Sequence, residues 1–232
     1  MNIPSITTEQ MREVDRLMVD EYGISLLQMM ENAGRGLAEL SNRMLGGNLA
    51  GKRIQVLCGG GNNGGGGMVA ARHLHNRGAH VHLKLAAEPA RLKSVPSRQW
   101  NILKAMGLTQ DESLLEPADL VIDALLGYGL TSSPRPPVSD LVNWANEQLA
   151  RVLSLDAPSG LDTTSGTVYS PCVRAATTMT LAIPKTGLHA PGANPFVGEL
   201  YLADISVPPE LYQKAFGLQV PSLFAENSII RV

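Results

Sequence analysis

The sequence predicts an α/β fold in which helices cover both faces of a mostly parallel sheet. Short apolar segments of strand length alternate with segments whose apolar residues recur at helical spacing. The links between these segments are short, as they are in βαβ units. Aromatic residues make up only 4% of the chain, so Ala, Leu, Val, Ile and Met must build the core. Helix-covered parallel sheets commonly have such a core.

Length and composition limit the classes of protein to consider. The 232 residues suit one large domain or two small ones, and we expect a single domain over residues 1–232. The net charge of −2, without a Lys/Arg-rich run, gives no basis for binding nucleic acid or an anionic membrane. No apolar stretch reaches the roughly 20 residues of a membrane helix. Residues 1–10 lack a signal-peptide pattern, so the expected compartment is the cytoplasm.

Two helices are expected before the first strand. Thr7 and Gln10 have the spacing of a capping box, and apolar residues at helical spacing follow them. Ser25 and Gln28 repeat this arrangement for a second helix that should run to about Leu45. The N-terminal helices are therefore an addition to the alternating strands and helices that follow.

The remaining elements are assigned from apolar runs and turn residues. The expected strands are 54–58, 81–85, 120–126, 151–155, 176–183 and 199–205, the expected helices are 68–77, 91–106 and 138–149, and 59–67 is expected to be a loop. Residues 209–232 lack clear periodicity, which indicates an irregular tail or linker.

The glycine-rich segment Gly59–Gly67 carries the first functional signal. Gly59, Gly61 and Gly64 satisfy G-x-G-x-x-G between a strand and a helix, where backbone N–H groups can bind a phosphate. The dinucleotide fingerprint also needs an acid at the end of the second strand. Here Leu85 is followed by two alanines before an acid, so a hydride-transferring dehydrogenase has weak support.

Two further strand ends carry polar residues. Asp123 ends one expected strand, and Asp156 and Ser159 follow another. Because parallel strands end at one edge of a sheet, these residues and Asn62 are expected to converge there. The alternative for each aspartate is a turn or helix cap, but both together with the glycine segment favour a functional site.

Several ordered motifs make the sequence resemble the YjeF N-terminal domain family, whose characterised members are NAD(P)H-hydrate epimerases. The resemblance covers roughly residues 8–208. Its motifs are Gln28–Gly34, Gly61–Gly65, Asp123–Gly129, Asp156–Asp162 and Ile183–Leu188. It implies a Rossmann-like three-layer αβα sandwich and an isomerase that interconverts the R and S forms of hydrated NADH and NADPH.

The resemblance also implies a potassium ion and a substrate site. One K+ per subunit would be held by Asn62, Asp123 and Ser159, consistent with the preference of hard cations for oxygen ligands. The implied substrate-binding residues are Gly61, Asn62, Asn63, Gly64, Gly65, Gly127, Tyr128, Gly129, Leu130, Thr131, Ser132, Ser133 and Asp156. The family likeness further implies a functional partnership with an ATP- or ADP-dependent dehydratase and allows a homodimer.

A physical route for this reaction is loss of the hydroxyl group beside the ring nitrogen, followed by return of water to the other face. Asp156 is the candidate for proton transfer or cation stabilisation. Lys185 is expected either to orient the substrate and tune Asp156 or to be an ordinary surface residue.

The sequence departs from the family pattern at two positions. Gly66 stands where the family has aspartate, and it is expected to serve as a helix N-cap without a carboxylate. Ala157 replaces a larger apolar residue. The missing carboxylate keeps open a second interpretation, a catalytically silent module that binds a nucleotide or a protein.

Other chemistries have less support. The histidines and cysteines do not form a convincing metal set; they are His73, His75, His80, His82, His189, Cys58 and Cys172. Both cysteine thiols are expected to be reduced. Ser159 lacks the G-x-S-x-G context of a hydrolase nucleophile. A preference between hydrated NADH and hydrated NADPH does not follow from the sequence.

Overall fold

The computed structural model describes residues 3–111 and 113–232. The first two residues of segment 1–10 lie outside this part of the chain. A seven-stranded sheet contains β1 (Arg53–Cys58), β2 (His80–Leu85), β3 (Leu120–Ala124), β4 (Arg151–Leu155), β5 (Thr177–Leu181), β6 (Glu199–Ala203) and β7 (Ile229–Arg231). The strand order is β2-β1-β3-β4-β5-β6-β7, with β7 antiparallel to β6 and all other neighbours parallel.

Helices cover both faces of this sheet. They are α1 (Thr8–Asp20), α2 (Leu26–Met44), α3 (Asn62–Asn76), α4 (Ser94–Ala105), α5 (Val138–Glu147), α6 (Asn194–Val197) and α7 (Pro209–Phe216). Side chains of consecutive strand residues point to opposite faces of the sheet and so pack against different helices. Val56 packs with side chains of α2, α3 and α4, whereas Leu57 packs with α5. The structure thus confirms the three-layer α/β fold.

The N-terminal helices begin where their caps predict. Thr7 and Gln10 form a complete capping box, as do Ser25 and Gln28. Met11 and Met18 on the apolar face of α1 pack with Leu211 of α7. The extra helices therefore join the C-terminal part of the chain in one apolar cluster beside the sheet.

The glycine segment is the main correction to the expected elements. Only Gly59–Gly61 form a turn, and α3 already begins at Asn62. Gly66 is therefore buried inside a helix and is not its N-cap. Small residues are needed there because a Cβ on Gly66 would lie 2.7 Å from Leu155, and one on Gly67 would lie 2.6 Å from Ala124. Close packing of α3 on the sheet offsets the low helix propensity of glycine.

The prediction of an irregular tail at 209–232 is also wrong for part of that segment. Pro209 opens α7 at a position where proline is favoured, and Gly217 ends this helix in the left-handed conformation with φ 66°. Residues 229–231 then add the antiparallel edge strand β7. A helix of eight residues and a strand of three are too short to produce a clear sequence period.

The strand order fixes where a ligand can bind. The chain passes from β1 to β2 on one side and then to β3 on the other, so the order reverses between β1 and β3. In open parallel sheets, such a reversal leaves a crevice at the carboxyl ends of the strands. No helix in the described part of the chain has the length and apolar character to cross a membrane.

Candidate active site

A cavity of about 590 Å³ occupies the crevice predicted by the strand order. Its walls are the turn 59–63 after β1, the segment 125–132 after β3, and Asp156 after β4. Helices α1 and α2 close it on another side with Met11, Met29 and Met30 among other residues. The cavity therefore combines an apolar wall with backbone and charged groups.

The glycine turn brings the start of α3 to the cavity. A Cβ on Gly64 would lie 1.9 Å from the carbonyl oxygen of Gly59, so the turn can fold back on the helix only without a side chain there. The N-cap of α3 is Gly61, which provides no side-chain cap. The first N–H groups of α3 are consequently left for a ligand, preferably an anionic one.

Asp156 and Lys185 form a buried ion pair at the cavity. Lys185 Nζ lies 2.6 Å from Asp156 Oδ1, and the side chains are 0% and 4% exposed. The ammonium group also donates to Thr180 Oγ1 at 3.3 Å and to the Leu181 carbonyl at 3.0 Å. The alternative of Lys185 as a surface residue is wrong, and its side chain is positioned to orient Asp156.

The backbone at Asp156 has an unusual conformation. Its φ is 69°, in the left-handed region that aspartate and asparagine tolerate better than most residues. Tyr128 N–H donates to Asp156 Oδ2 at 3.0 Å. A Cβ on Gly127 would lie 3.0 Å from the same oxygen and 3.3 Å from Asn63 Cγ, so glycine leaves room for both side chains.

Asp123 and Ser159 form a second polar cluster. Both are fully buried. Ser159 Oγ donates to Asp123 Oδ1 at 2.6 Å, and Ser154 Oγ donates to Asp123 Oδ2 at 2.8 Å. Backbone N–H groups of Leu125 and Ser159 complete the set. Burial raises the pKa of the Asp123 carboxyl, although the hydrogen bonds partly oppose this effect.

This cluster has the donor chemistry of a hard-cation site. No Lys or Arg forms an ion pair with Asp123 in the described ranges, so its carboxyl group is held by hydrogen bonds alone. Carboxylate and hydroxyl oxygens suit a weakly charged cation, which would offset the cost of burying an ionised carboxylate. The described residues contain no group of three or more His, Cys, Asp or Glu side chains that could hold a metal.

The structure brings together some, but not all, of the predicted site. Asp123 contacts Ser159, whereas Asn62 is exposed at the start of α3 and lines the cavity instead. The predicted substrate-binding residues that line the cavity are Gly61, Asn62, Asn63, Gly127, Tyr128, Gly129, Leu130, Thr131, Ser132 and Asp156. Gly64 and Gly65 are buried in α3, and Ser133 is exposed outside the lining.

Asp15 is a cavity residue that sequence reasoning missed. It lines the cavity from α1, and its Oδ2 accepts a hydrogen bond from the Tyr128 hydroxyl. Burial raises the pKa of the Asp15 carboxyl above its ordinary value, and the hydrogen bond from Tyr128 partly opposes this. Its spacing in the sequence could have placed it on the apolar face of α1, because it follows Met11 by four residues and precedes Met18 by three.

Lys93 is a second missed cavity residue. It precedes α4, and its N–H donates to the Gly60 carbonyl at 3.3 Å, which places it beside the glycine turn. Lys93 falls within the expected helix 91–106, but the observed helix begins at Ser94, and no sequence pattern linked the lysine to the turn.

The molecule is an α/β protein with a cavity at the carboxyl edge of a mostly parallel sheet. Residues 26–187 match the family described as YjeF-related protein N-terminus, and the chain belongs to this family. The resemblance carried by the sequence motifs is therefore confirmed.

Relatives include both short and long proteins. The chain is 42% identical to a Dehalogenimonas lykanthroporepellens protein named NAD(P)H-hydrate epimerase, over 99% of this chain and 93% of that protein. A Rhodopirellula baltica protein of the same name is 34% identical, with 92% and 89% covered. The Bifunctional NAD(P)H-hydrate repair enzyme Nnr of Moorella thermoacetica is 38% identical over 89% of this chain, which spans 41% of its length.

A solved structure shows the same fold. The crystal structure of yeast ynu0 superposes with a TM-score of 0.82 at 23% identity, covering 99% of this chain and all of that one. The α/β architecture is thus shared over the full length.

Proposed function

We propose that this protein epimerises hydrated NADH and hydrated NADPH, interconverting their R and S forms. The observation that carries the proposal is the buried Asp156–Lys185 ion pair at the cavity, next to an uncapped helix N-terminus. The names of the relatives from Dehalogenimonas lykanthroporepellens and Rhodopirellula baltica support it, since this chain covers most of each protein.

The two ends of the substrate match two parts of the cavity. The pyrophosphate suits the free N–H groups at the start of α3, with Lys93 adding positive charge beside the glycine turn. The hydrated ring then lies toward Asp156 and the segment 127–132. The methionines of α2 exclude water from the ring.

The proposed reaction inverts the carbon that bears the added hydroxyl group. The C–O bond breaks with its electron pair going to oxygen, and the adjacent ring nitrogen stabilises the resulting cation. Water adds to the opposite face. Asp156 stabilises the cation and accepts a proton, while Lys185 holds the carboxylate in place through its 2.6 Å contact.

We propose that a potassium ion binds at Asp123 and Ser159, and that the Asn62 side chain turns from the cavity lining to join them when the ion is bound. The buried Asp123 carboxyl group, which has no basic partner among the described residues, supports this site. When bound, the ion supplies positive charge that stabilises the turn after β4. Ser159 is three residues from Asp156, so order in this turn helps to position the catalytic carboxylate.

We infer that the epimerase works with an ATP- or ADP-dependent dehydratase of hydrated cofactors. The bifunctional relatives carry additional chain beyond the part that this protein matches, which supports such a partnership. A homodimer and a cytoplasmic location are part of the same proposal. Sedimentation that shows only monomer at micromolar concentration would contradict the dimer.

The alternative of a catalytically silent binding module predicts a different result in one assay. Purified protein is mixed with the R form of hydrated NADH or NADPH in potassium buffer, and the R/S ratio is followed by chromatography. The proposal predicts faster equilibration than in a blank and a large loss in Asp156→Asn. Asp162→Asn, in the same loop but outside the cavity lining, is the matched control.

A rate equal to the blank, with folded protein, would contradict the epimerase and favour the binding module. Full activity in Asp156→Asn would contradict the role given to this carboxylate. Asparagine is the appropriate replacement because it tolerates the left-handed backbone at φ 69°.

A further inference from the structure

Two carboxylates reach the cavity from different elements of the fold. Asp156 follows β4, whereas Asp15 projects from α1. Tyr128 connects them, because its hydroxyl donates to Asp15 Oδ2 and its N–H donates to Asp156 Oδ2. The cavity therefore has two acidic groups with one aromatic residue between them.

We propose that Asp15, with the Tyr128 hydroxyl, is the second proton-transfer group of the epimerase, complementary to Asp156. The inference rests on the proposed function and assigns a residue to a step that Asp156 alone does not complete. Inversion through loss and return of water needs one proton delivered on one face of the ring and one removed on the other.

The proposed step balances atoms and charge. As the C–O bond breaks, its electron pair goes to oxygen, and this oxygen takes a proton from the Asp15–Tyr128 pair to leave as water. A second water forms the new C–O bond on the other face and gives its extra proton to Asp156. Proton exchange with solvent then returns Asp15 and Asp156 to their starting states, so no co-reactant is consumed.

The position of Asp15 is not explained by folding alone. The other acids of α1 form ion pairs with arginines on its exposed side: Glu9 with Arg12, and Glu13 and Asp20 with Arg16. Asp15 has no such basic partner within the described residues and lies on the apolar face with Met11 and Met18. Burial raises its pKa, so the carboxyl holds a proton at higher pH than an ordinary aspartate.

Tyr128 is held firmly enough to serve as the link. Thr8 Oγ1 and Thr163 Oγ1 donate to its carbonyl oxygen at 3.1 and 3.3 Å. Its ring centroid lies 5.9 Å from Lys185 Nζ. These contacts come from α1, the loop after β4 and the segment after β5. They hold the Tyr128 backbone beside Asp156, and its hydroxyl reaches Asp15.

The electrostatic surroundings of Asp15 come from several elements. The charged or titratable groups around Asp15 and its partner Tyr128 are Asp156, Lys185, Tyr212 of α7 and Arg12 on α1 itself. Asp156 raises the pKa of Asp15 further, and Lys185 lowers it. The acid form of Asp15 should therefore be lost as pH rises through its elevated pKa.

The test is the Asp15→Asn variant in the R/S epimerisation assay. An asparagine oxygen still accepts the hydrogen bond from Tyr128, so positioning is kept while proton exchange is lost. We expect kcat to fall about 100-fold or more and KM to change little. The decline of the wild-type rate as pH rises through the pKa of Asp15 should disappear. Asp20→Asn, exposed on the same helix, should leave all three unchanged.

The outcomes are distinct. An active wild type with Asp15→Asn within twofold in kcat, or with the same pH profile, would overturn the inference while leaving the epimerase proposal intact. A change in KM alone would also overturn it. Tyr128→Phe is the second variant and should lose a comparable factor in kcat. An inactive wild type would overturn the proposed function and this inference together.

Discussion

A Cβ atom placed on Gly66 would lie 2.7 Å from Cδ2 of Leu155, a side chain that is 1% exposed. The glycine therefore belongs to the contact between α3 and the end of β4. The resemblance had associated this position with an aspartate of the family, and its loss had suggested impaired catalysis. In this chain, the close approach of helix and strand gives the glycine a packing role.

Gly66→Asp should destabilise the protein without increasing epimerase activity. The new side chain must displace Leu155, and overpacking of this kind costs about 1–3 kcal/mol in free energy of unfolding. Urea unfolding measures the change, with Gly192→Asp as a control because a Cβ there meets nothing within 4 Å. Unchanged stability together with a faster epimerisation rate would contradict the packing role.

Gly64→Ala should damage the protein far more than Gly61→Ala. The added methyl group would lie 1.9 Å from the Gly59 carbonyl oxygen in one case and in open space in the other. Because the obstacle is backbone, we expect a loss of more than about 3 kcal/mol for Gly64→Ala. Equal unfolding midpoints for the two variants would show that the turn after β1 is not as described.

Lys185→Met should destabilise the protein because it leaves the Asp156 carboxylate buried without its partner. Breaking a buried ion pair costs about 3–5 kcal/mol, and adding Asp156→Asn to the same chain should recover part of this loss. Lys214→Met removes the partner of Glu21 in a pair with an exposed lysine and should have little effect. Chemical denaturation of the wild type, the two lysine variants and the Lys185→Met, Asp156→Asn double variant measures these losses. Similar losses for the two lysine variants would contradict the prediction.

Asp15→Asn should change how stability depends on pH. The folded-state pKa of Asp15 is raised above 3.8, so the unfolded chain ionises first as pH increases. Stability from this group is therefore full below 3.8 and falls as pH rises through the folded-state pKa. The free energy of unfolding of Asp15→Asn minus that of wild type should increase over this range. A difference independent of pH would mean that Asp15 titrates as an ordinary exposed carboxyl.

Potassium should raise the unfolding temperature more than choline at the same ionic strength. A ligand that binds only the folded state stabilises it in proportion to the logarithm of its concentration above Kd. The effect should disappear in Asp123→Asn and persist in Asp140→Asn, which alters an exposed carboxylate on α5. Equal curves for the two salts in wild type would count against the cation site.

The sequence was sufficient for elements that depend on local signals. Thr7 with Gln10 and Ser25 with Gln28 predicted both N-terminal helix starts, and short apolar runs predicted the parallel strands. The sequence was insufficient where tertiary contacts determine whether a segment forms a helix or a loop. Four consecutive glycines argue against a helix locally, yet α3 begins at Asn62 because neighbouring helices and strands need small residues there.

The same distinction holds for the site. The rule that parallel strands end at one edge predicted that Asn62, Asp123, Asp156 and Ser159 would converge. Asp123 and Ser159 do meet, whereas Asn62 and Asp156 line the cavity. The rule does not locate residues from α1, because the path of an added helix depends on packing. Asp15 was therefore missed, although its place on an apolar helix face was visible. The choice between the two interpretations of Lys185 required its burial.

Epimerisation is tested from both directions by separate reactions that start from the pure R form and the pure S form of hydrated NADH. Each is incubated with the purified protein in potassium buffer, and both epimers are measured over time. An epimerase brings both reactions to the same R/S ratio faster than their blanks, with the total of the two epimers conserved. Progress no faster than the blanks, from either side, would contradict the proposed function.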